Sequence, residues 1–274
     1  MRNLLVSDLT RIRKDKLLLI TIIIAAAFSV ITPVLYWLLF HDMDPMMLEM
    51  LGAGATAKGL FFTAFNIGDD LGFVAPILIA VILYKDFSHG TIRNKLIAGK
   101  TRTAIFFSTY ISCLITLFAV TLFYAVMTLG VSLLMFPYQQ DPFEMKDVWY
   151  LLGSVALEFN LYLYVAALVT YICVSSRNMG FVILKYLGVV MGISLITGII
   201  MGAAMVMEML GGQENLLKVL QFIQDINIYN YPAVIGKVDA YETKELIFMI
   251  VTPLVLTTGL LLLGERKLRK KDIK

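Results

Sequence analysis

The chain has 274 residues, of which 59% are hydrophobic and only 16% are charged, and its mean hydropathy is +0.82. A soluble domain carries about 45–50% apolar and roughly 25% charged residues, so this composition predicts a membrane protein and excludes an ordinary water-soluble fold. The formal net charge of +3 is small, and we expect no nucleic-acid partner. The two cysteines, Cys113 and Cys173, lie in apolar runs without CxxC spacing, which favours a packing role over a disulfide or a metal site.

The first 16 residues have the pattern of an amphipathic helix. Leu5, Leu9 and Ile12 fall at i, i+4 and i+7, beside basic residues that include Arg11 and Arg13. This spacing predicts a helix lying in the membrane interface. An ordinary basic flank of the first span is the alternative.

Six apolar runs are close to the length of about 20 residues that a spanning helix needs. We therefore predict an all-α polytopic membrane protein that forms a single domain over residues 1–274. The second run is the weakest, because Asp69 and Asp70 stand at its start, near the outer boundary of the bilayer, and the third run is long enough to require tilt or projection. The predicted spans are 17–39, 67–84, 104–136, 148–174, 181–207 and 246–264.

The basic residues divide unequally between the two sides of this arrangement. Of the 23 Lys and Arg residues, about 18 lie in 1–16, 85–103, the turn near Arg177 and Lys185, and the C-terminal tail. The opposite side holds the remaining basic residues and most of the acidic ones. The positive-inside rule then places both termini and the 85–103 segment in the cytoplasm.

The segment 85–103 ends in Gly99-Lys100-Thr101, the last letters of a nucleotide-binding P-loop. That motif needs a further glycine five positions before Gly99 and a preceding strand, and position 94 is Asn94 after a predicted membrane helix. No non-membrane segment exceeds about 38 residues, which is too short to form a nucleotide-binding core. We therefore expect no cofactor in this chain and no catalytic residue.

The same segment has the pattern of a short helix on the cytoplasmic side. Ile92, Leu96 and Ile97 would share one apolar face. Asp86 or Ser88 could cap the start of the helix, Gly99 could end it in a left-handed conformation, and Thr101 or Thr103 could cap the next span.

The run YKDFSHGTIRNKL (84–96), followed by Lys100-Thr101-Arg102, resembles a signature of bacterial type-2 ABC exporter permeases, E-F-x-x-G-T-I-R-x-x-L … S-R. Asp86 replaces the common Glu and Thr101 replaces Ser. In that family the segment is a coupling helix that docks on a separate ATP-binding subunit. The resemblance implies that the contact residues are Lys85, Asp86, Phe87, Gly90, Thr91, Arg93, Asn94, Lys95 and Leu96.

The resemblance also implies the partners and the location of the protein. We expect a membrane-spanning exporter subunit in a bacterial plasma membrane, embedded in lipid and paired with a second copy or a related permease. ATP and Mg would be bound by the partner subunit, and the substrate would be a peptide, an antibiotic or a lipid. The N-terminal helix resembles the helix that precedes the first span in such permeases, and residues 208–245 resemble their outer re-entrant helices. A plain amphipathic helix on the membrane surface is the alternative for 208–245.

Polar and small residues inside the spans are candidates for the pathway or for helix packing. Glu158, with Asn160 nearby, is the only acid well inside a span, where carboxylates are costly and face an interior or a neighbouring helix. Two G-x-x-x-G repeats, a spacing that allows close helix approach, favour packing within one subunit or a helix near a dimer axis. The first repeat is Gly188 with Gly192, and the second is Gly198 with Gly202.

Three other functions have weaker support. An intramembrane enzyme or immunity factor acting without an ATPase would need a convergent polar site, and His41 and His89 lie on opposite sides. A secondary transporter would favour inverted repeats, of which we find none that is clear. Soft ligands of Cu(I) cluster in the first outer loop, but methionine is also a common interfacial filler, and we expect no metal site. That cluster is His41, Met43, Met46, Met47 and Met50.

Overall fold

A computed structural model describes residues 1–40, 56–67, 70–136, 144–209, 214–231, 235 and 242–271. Within these ranges the protein is all-helical, with ten α-helices, one short 3₁₀ turn at Ile228–Asn230 and no β-strand. The helices are α1 (Arg2–Lys14), α2 (Lys16–Phe40), α3 (Ala57–Thr63), α4 (Asp70–Ser88), α5 (Thr91–Ile97), α6 (Arg102–Met135), α7 (Met145–Ser175), α8 (Met179–Met209), α9 (Glu214–Ile226) and α10 (Thr243–Lys270).

Six of the described helices, α2, α4, α6, α7, α8 and α10, are long and apolar enough to cross a membrane. The six-span prediction is therefore confirmed, and the overlong third span is the 34-residue helix α6. Two of the described helices continue past the predicted ends of their spans. Helix α4 runs on to Ser88, beyond the predicted end at 84, and α10 runs on to Lys270, beyond the predicted end at 264, because both helices extend beyond their apolar runs into polar residues.

The bundle is built around α4, α6 and α7. Helix α2 lies along α6, α10 lies along α7, and α4 contacts α2, α6, α7 and α8. The core between them contains branched aliphatic side chains, among them Leu71, Ile79, Leu117 and Val165. In the most apolar part of α7, 78% of the residues are buried, against 6% in α8, so α7 is central and α8 is peripheral.

The segments that carry most of the basic residues come together at one end of this bundle. The basic end, as we call it, comprises α1, α5, the first turn of α6 and the last turns of α4, α7 and α10. The opposite, acidic end contains α3, α9 and the first turn of α4. The two ends of α4 lie roughly 27 Å apart, close to the hydrocarbon thickness of a bilayer.

A proline in α10 explains the position of Asn160. Pro253 has no N–H group, so the Met249 carbonyl four residues earlier loses its helical hydrogen bond. Asn160 Nδ2, on α7, donates to the carbonyl oxygens of Met249 and Ile250, at 3.0 Å each. The polar side chain thereby satisfies a backbone group that lipid could not satisfy.

Replacing Asn160 with leucine is expected to destabilise the protein by about 1 kcal/mol, within the range measured for hydrogen bonds between membrane helices. The thermal midpoint of the purified protein in detergent measures the change. In a Pro253→Ala background the residue-253 N–H can bond the Met249 carbonyl again, so the same replacement should cost less. Equal costs in the two backgrounds would contradict the proposed link to Pro253.

Candidate functional site

The polypeptide between α4 and α6 forms a short helix bounded by two left-handed glycines. Helix α4 runs through Asp86 and Ser88, Gly90 follows with φ +70°, and α5 begins at Thr91. The expectation that Asp86 or Ser88 caps α5 was wrong, since Asp86 lies inside α4 and the Ser88 hydroxyl donates to the Lys85 carbonyl. Gly90 stands at the N-cap position without a side chain to accept a backbone N–H, and its positive φ lets the chain turn within two residues.

The far end of α5 follows local sequence rules closely. Gly99, with φ +77°, donates its N–H to the Leu96 carbonyl at 2.9 Å, and the Lys100 N–H bonds the Lys95 carbonyl at 3.1 Å. This pair of bonds is a Schellman motif. Thr101 Oγ1 then accepts the Ala104 N–H and caps α6. The predictions for Gly99 and Thr101 are confirmed.

The apolar side of α5 faces the protein itself. Ile92 is only 2% exposed and packs against Leu4 of α1 and Ile105 of α6, with Leu96 at the edge of the cluster. Ile97 is 75% exposed, so the predicted common face of Ile92, Leu96 and Ile97 was wrong for Ile97. The outward side of α5 presents Arg93 and Asn94 beside Ile97.

A buried ion network fixes α5 to α1 and α4. Lys95 Nζ lies 2.6 Å from Asp8 Oδ1 and 3.4 Å from Asp86 Oδ2, and the Arg11 guanidinium lies 2.7 Å from the same Asp86 oxygen. The second Asp8 oxygen accepts the Ser108 hydroxyl of α6 at 2.6 Å. Asp8 and Asp86 are each 2% exposed. Four helices are thus joined by one polar network whose two carboxylates are almost completely screened from water.

Sequence reasoning missed Asp8. The buried face of α1 consists of Leu4, Asp8 and Ile12 at i, i+4 and i+8, whereas Leu5 and Leu9 lie at its margin and are half-buried. The signal was available, since Asp8 is an acid on the i+4 position between two apolar residues in a basic segment. Its partner Lys95 lies 87 residues away and could not be inferred from spacing.

A second ion pair holds the corner between α1 and α2. Lys85 Nζ bonds both Asp15 carboxylate oxygens at 2.8 Å, and the Leu17 N–H donates to Asp15 Oδ1 at 2.9 Å. Partial burial disfavours the Asp15 carboxylate, but the hydrogen bonds and the positive charges of Lys85 and Arg11 outweigh it. The net effect lowers the pKa of Asp15 below its ordinary value. Lys85, predicted as a partner contact, is therefore engaged within the chain.

The C-terminal ends of α7 and α10 are tied to each other, and the end of α10 is also tied to the start of α6. Arg102 Nη1 donates to the carbonyls of Leu268, Arg269 and Lys271 at 3.1, 2.6 and 2.8 Å, where the last turn of α10 leaves acceptors unpaired. Lys271 Nζ donates to the Val174 and Ser176 carbonyls at 2.9 and 3.2 Å. A cation also suits the negative end of a helix dipole.

Phe87 connects this arrangement to α4. The Lys271 ammonium lies 5.1 Å from the centre of the Phe87 ring, which packs against the buried cluster of Phe106, Val174 and Leu268. Sequence reasoning named Phe87 as a partner contact and did not anticipate its position between α4, α6, α7 and α10. Gly90 and Thr91 are half-buried and lie at the turn itself.

The predicted polar residues inside the spans do not form one site. Asn160 bonds the α10 backbone, as described above, and is therefore a helix-packing residue. Glu158 is 2% exposed, and its Oε2 has no hydrogen-bond partner among the described residues. A pathway role for Glu158 stays a prediction.

The glycines of the two G-x-x-x-G repeats lie on the peripheral helix α8. Gly188, Gly198 and Gly202 are exposed, and Gly192 is half-buried. A Cβ built at Gly188, Gly192, Gly198 or Gly202 meets no described atom within 4 Å. No described helix approaches α8 closely at any of the four positions, and the interpretation that these glycines pack within one subunit stays a prediction. The other interpretation, a contact near a dimer axis, stays a prediction.

Two predictions fall partly or wholly outside the described residues. The copper-ligand cluster of His41, Met43, Met46, Met47 and Met50 lies entirely outside them. Of the 208–245 segment, α9 contacts α8 and α10, and Asn227 caps the 3₁₀ turn by accepting the Tyr229 N–H. The re-entrant arrangement stays a prediction, since 210–213, 232–234 and 236–241 are outside the described ranges.

Six apolar spans and a ring of helix ends joined at the basic end define a multi-pass α-helical membrane protein. Residues 70–274 match the family described as "Protein of unknown function (DUF2705)", and the chain belongs to this family. The match begins at the first residue of α4 and includes α5 and the later spans. No curated protein matches the chain.

Proposed function

We propose that this chain is the permease subunit of an ATP-driven exporter in a bacterial plasma membrane, coupled to separate ATP-binding subunits. The observation that carries the proposal is α5, a short helix held between two spans and displayed at the basic end of the bundle. Its resemblance to the coupling-helix signature supports the same function. The chain itself would catalyse no reaction, and ATP and Mg would be bound by the partner.

The contacts of α5 suggest how closure of the ATPases would reach the spans. Helix α5 is joined to α4 and α6 by short turns, and Lys95 links it to α1 through Asp8. Arg102 links the start of α6 to the end of α10. A force applied to α5 would therefore move α1, α4, α6 and α10 together, since packed helices shift as rigid elements.

Some of the predicted contact residues are buried within the chain, so fewer residues of α5 are available to contact an ATP-binding subunit. Asp86 and Lys95 are enclosed by charges of the same chain, so their role in our proposal is to hold α5 in place. The exposed residues Arg93, Asn94 and Ile97 would make the contact, with Lys100 beyond them. No described residue pairs with the Arg93 or Lys100 side chain.

The peripheral helix α8 is the proposed contact with a second permease. Its glycines present bare backbone on an otherwise apolar helix that packs little against its own bundle. Small residues at four-residue spacing permit close approach of a second helix. The translocation pathway would form between the two subunits, and its substrate would be a peptide, an antibiotic or a lipid.

Co-purification tests the proposal. The chain is expressed with an affinity tag from its native gene cluster and solubilised in mild detergent, and the eluate is assayed for ATP hydrolysis. We expect an ATP-binding subunit in near-stoichiometric amount, encoded by a neighbouring reading frame. A chain that purifies alone, from a cluster without an ATPase gene, would contradict the proposal.

Glu158 favours one alternative, a secondary transporter that acts without an ATPase. A carboxyl group enclosed in a span, with one oxygen unpartnered in the described part of the chain, is typical of ion-coupled pathways. Transport in proteoliposomes that contain only this chain, driven by a proton gradient and abolished by Glu158→Gln, would support that alternative.

A further inference from the structure

A cavity of about 390 Å³ lies at the acidic end, where α2, α3, α4 and α6 meet. Its volume falls within the range of small-molecule sites in proteins. The described lining contains one ionisable carboxylate, Asp70, and no basic residue. Hydroxyl groups and aromatic rings make up much of the remaining wall, chiefly Thr32, Tyr36, Phe73 and Tyr124.

The Asp70 carboxylate is held in a defined position. Its Oδ2 accepts hydrogen bonds from the Thr32 hydroxyl at 2.9 Å and from the Tyr124 hydroxyl at 3.3 Å. These donors come from α2 and α6, so three spans converge on one oxygen atom. Asp70 is nevertheless exposed to the cavity, and both of these hydrogen bonds go to Oδ2.

The backbone around Asp70 is constrained as well. Asp70 is the only described non-glycine residue with positive φ, at +39°, a conformation that L-residues adopt at some cost. Two residues later, a Cβ on Gly72 would lie 1.8 Å from the Asn66 carbonyl oxygen, so only glycine allows this approach. Strained backbone that packing preserves is a recurrent feature of ligand sites.

The chemistry of the cavity selects the class of ligand. A carboxylate without a basic neighbour in the lining repels anions, and aromatic faces attract cations that are weakly hydrated. A metal ion needs more ligands, and among the described residues no group of three His, Cys, Asp or Glu side chains could hold one. The acidic residues predicted on this side would also raise the local concentration of cations.

We propose that this cavity is a binding site for an organic cation, such as a substituted ammonium or phosphonium group. Asp70 supplies the opposite charge, and Phe73, Tyr36 and Tyr124 supply the aromatic surface. The site opens at the end of the bundle opposite α5, so in an exporter it would contact a cationic substrate on its way out. That last step rests on the proposed function, whereas the binding site does not.

The test uses two ions of matched shape and opposite charge, tetraphenylphosphonium and tetraphenylborate. Binding to the purified full-length chain in detergent is measured by equilibrium dialysis against protein-free micelles. We expect saturable binding of the phosphonium and only non-saturable partitioning of the borate. Saturable binding of both ions with similar affinity would overturn the proposal, since it would indicate a hydrophobic site.

Three variants locate the binding. Asp70→Asn keeps the size of the side chain and should weaken phosphonium binding at least about tenfold. Phe73→Leu keeps the carboxylate and should weaken it about threefold. Asp225→Asn, at another acidic-end carboxylate outside the cavity lining, should leave affinity unchanged. Unaltered affinity in both Asp70→Asn and Phe73→Leu would overturn the proposal.

A failed binding assay remains distinguishable from failure of the exporter hypothesis. The dialysis experiment uses the permease alone, whereas the exporter hypothesis is judged by co-purification of an ATPase. If the chain co-purifies with an ATPase but shows no saturable phosphonium binding in dialysis, only the cation site is rejected. If Asp70→Asn lowers the thermal midpoint, Phe73→Leu, which leaves the carboxylate hydrogen bonds intact, becomes the deciding variant.

Discussion

Replacement of Lys95 with methionine is expected to destabilise the protein by about 3 kcal/mol, seen as a lower thermal midpoint in detergent. Methionine preserves most of the length of the side chain but removes the ammonium that lies 2.6 Å from Asp8 and 3.4 Å from Asp86. Within the described part of the chain, Asp8 would then keep the Ser108 hydroxyl as its one remaining side-chain partner. Removing one member of a buried ion pair costs about 3–5 kcal/mol, because the remaining charge stays buried and uncompensated.

The neighbouring Lys100 offers a matched control. It stands just after α5, is exposed and has no described partner, so Lys100→Met should change stability by no more than about 0.5 kcal/mol. The double variant Asp8→Asn with Lys95→Met should recover part of the loss, since it removes both charges of the pair. Equal effects of Lys95→Met and Lys100→Met would show that the network contributes no stability.

The number of spans was predictable because it depends on composition and length alone. A run of about 20 apolar residues has few folded alternatives in a bilayer. The ends of the spans were less predictable, since a helix continues beyond its apolar run where tertiary contacts stabilise the additional turns. Helix α4 runs on through Lys85 and Asp86 because Asp15, Arg11 and Lys95 pair with them there.

Local turn chemistry was predictable where the deciding groups are close in sequence. Gly99 and Thr101 follow from backbone rules that span four residues. The start of α5 was not predictable in this way. The sequence contains two possible caps, Asp86 and Ser88, and both are excluded because α4 continues through them. Long-range pairs such as Arg102 with the end of α10 lie more than 160 residues apart and leave no periodic signal.

The glycine repeats of α8 show a different limit of prediction from sequence: the spacing does not identify the packing partner. The four-residue spacing of Gly188 with Gly192 and of Gly198 with Gly202 indicates a surface that another helix can approach closely. The spacing does not say whether that helix belongs to the same chain. No described atom lies within 4 Å of a Cβ built at any of the four positions, so the described helices do not supply that close contact.

The orientation of α5 could not be predicted from its amphipathic pattern alone. An apolar stripe on an amphipathic helix indicates which side is buried, but it does not say what buries it. Here Ile92 packs into the protein's own cluster with Leu4 and Ile105. The consequence for the exporter hypothesis is that a partner would meet Arg93 and Asn94 beside the apolar side chain of Ile97, so charge would contribute much of its binding.

The second large effect is therefore expected from Arg93→Glu. Arg93 is exposed on the outward side of α5, so reversing its charge should leave folding and membrane insertion unchanged. Under the proposed function it should lower ATP-driven transport at least about tenfold, because a charge reversed at an interface weakens binding through direct repulsion. Transport into inverted vesicles, normalised to the amount of inserted protein, measures the effect.

The control is Arg177→Glu, which makes the same charge change on another exposed residue, in the turn between α7 and α8. This variant should retain transport and should still co-purify with the ATP-binding subunit, whereas Arg93→Glu should lose both. If Arg93→Glu co-purifies normally yet fails to transport, α5 transmits force without Arg93 contributing to binding. If it transports as well as Arg177→Glu does, the outward side of α5 is not the docking surface.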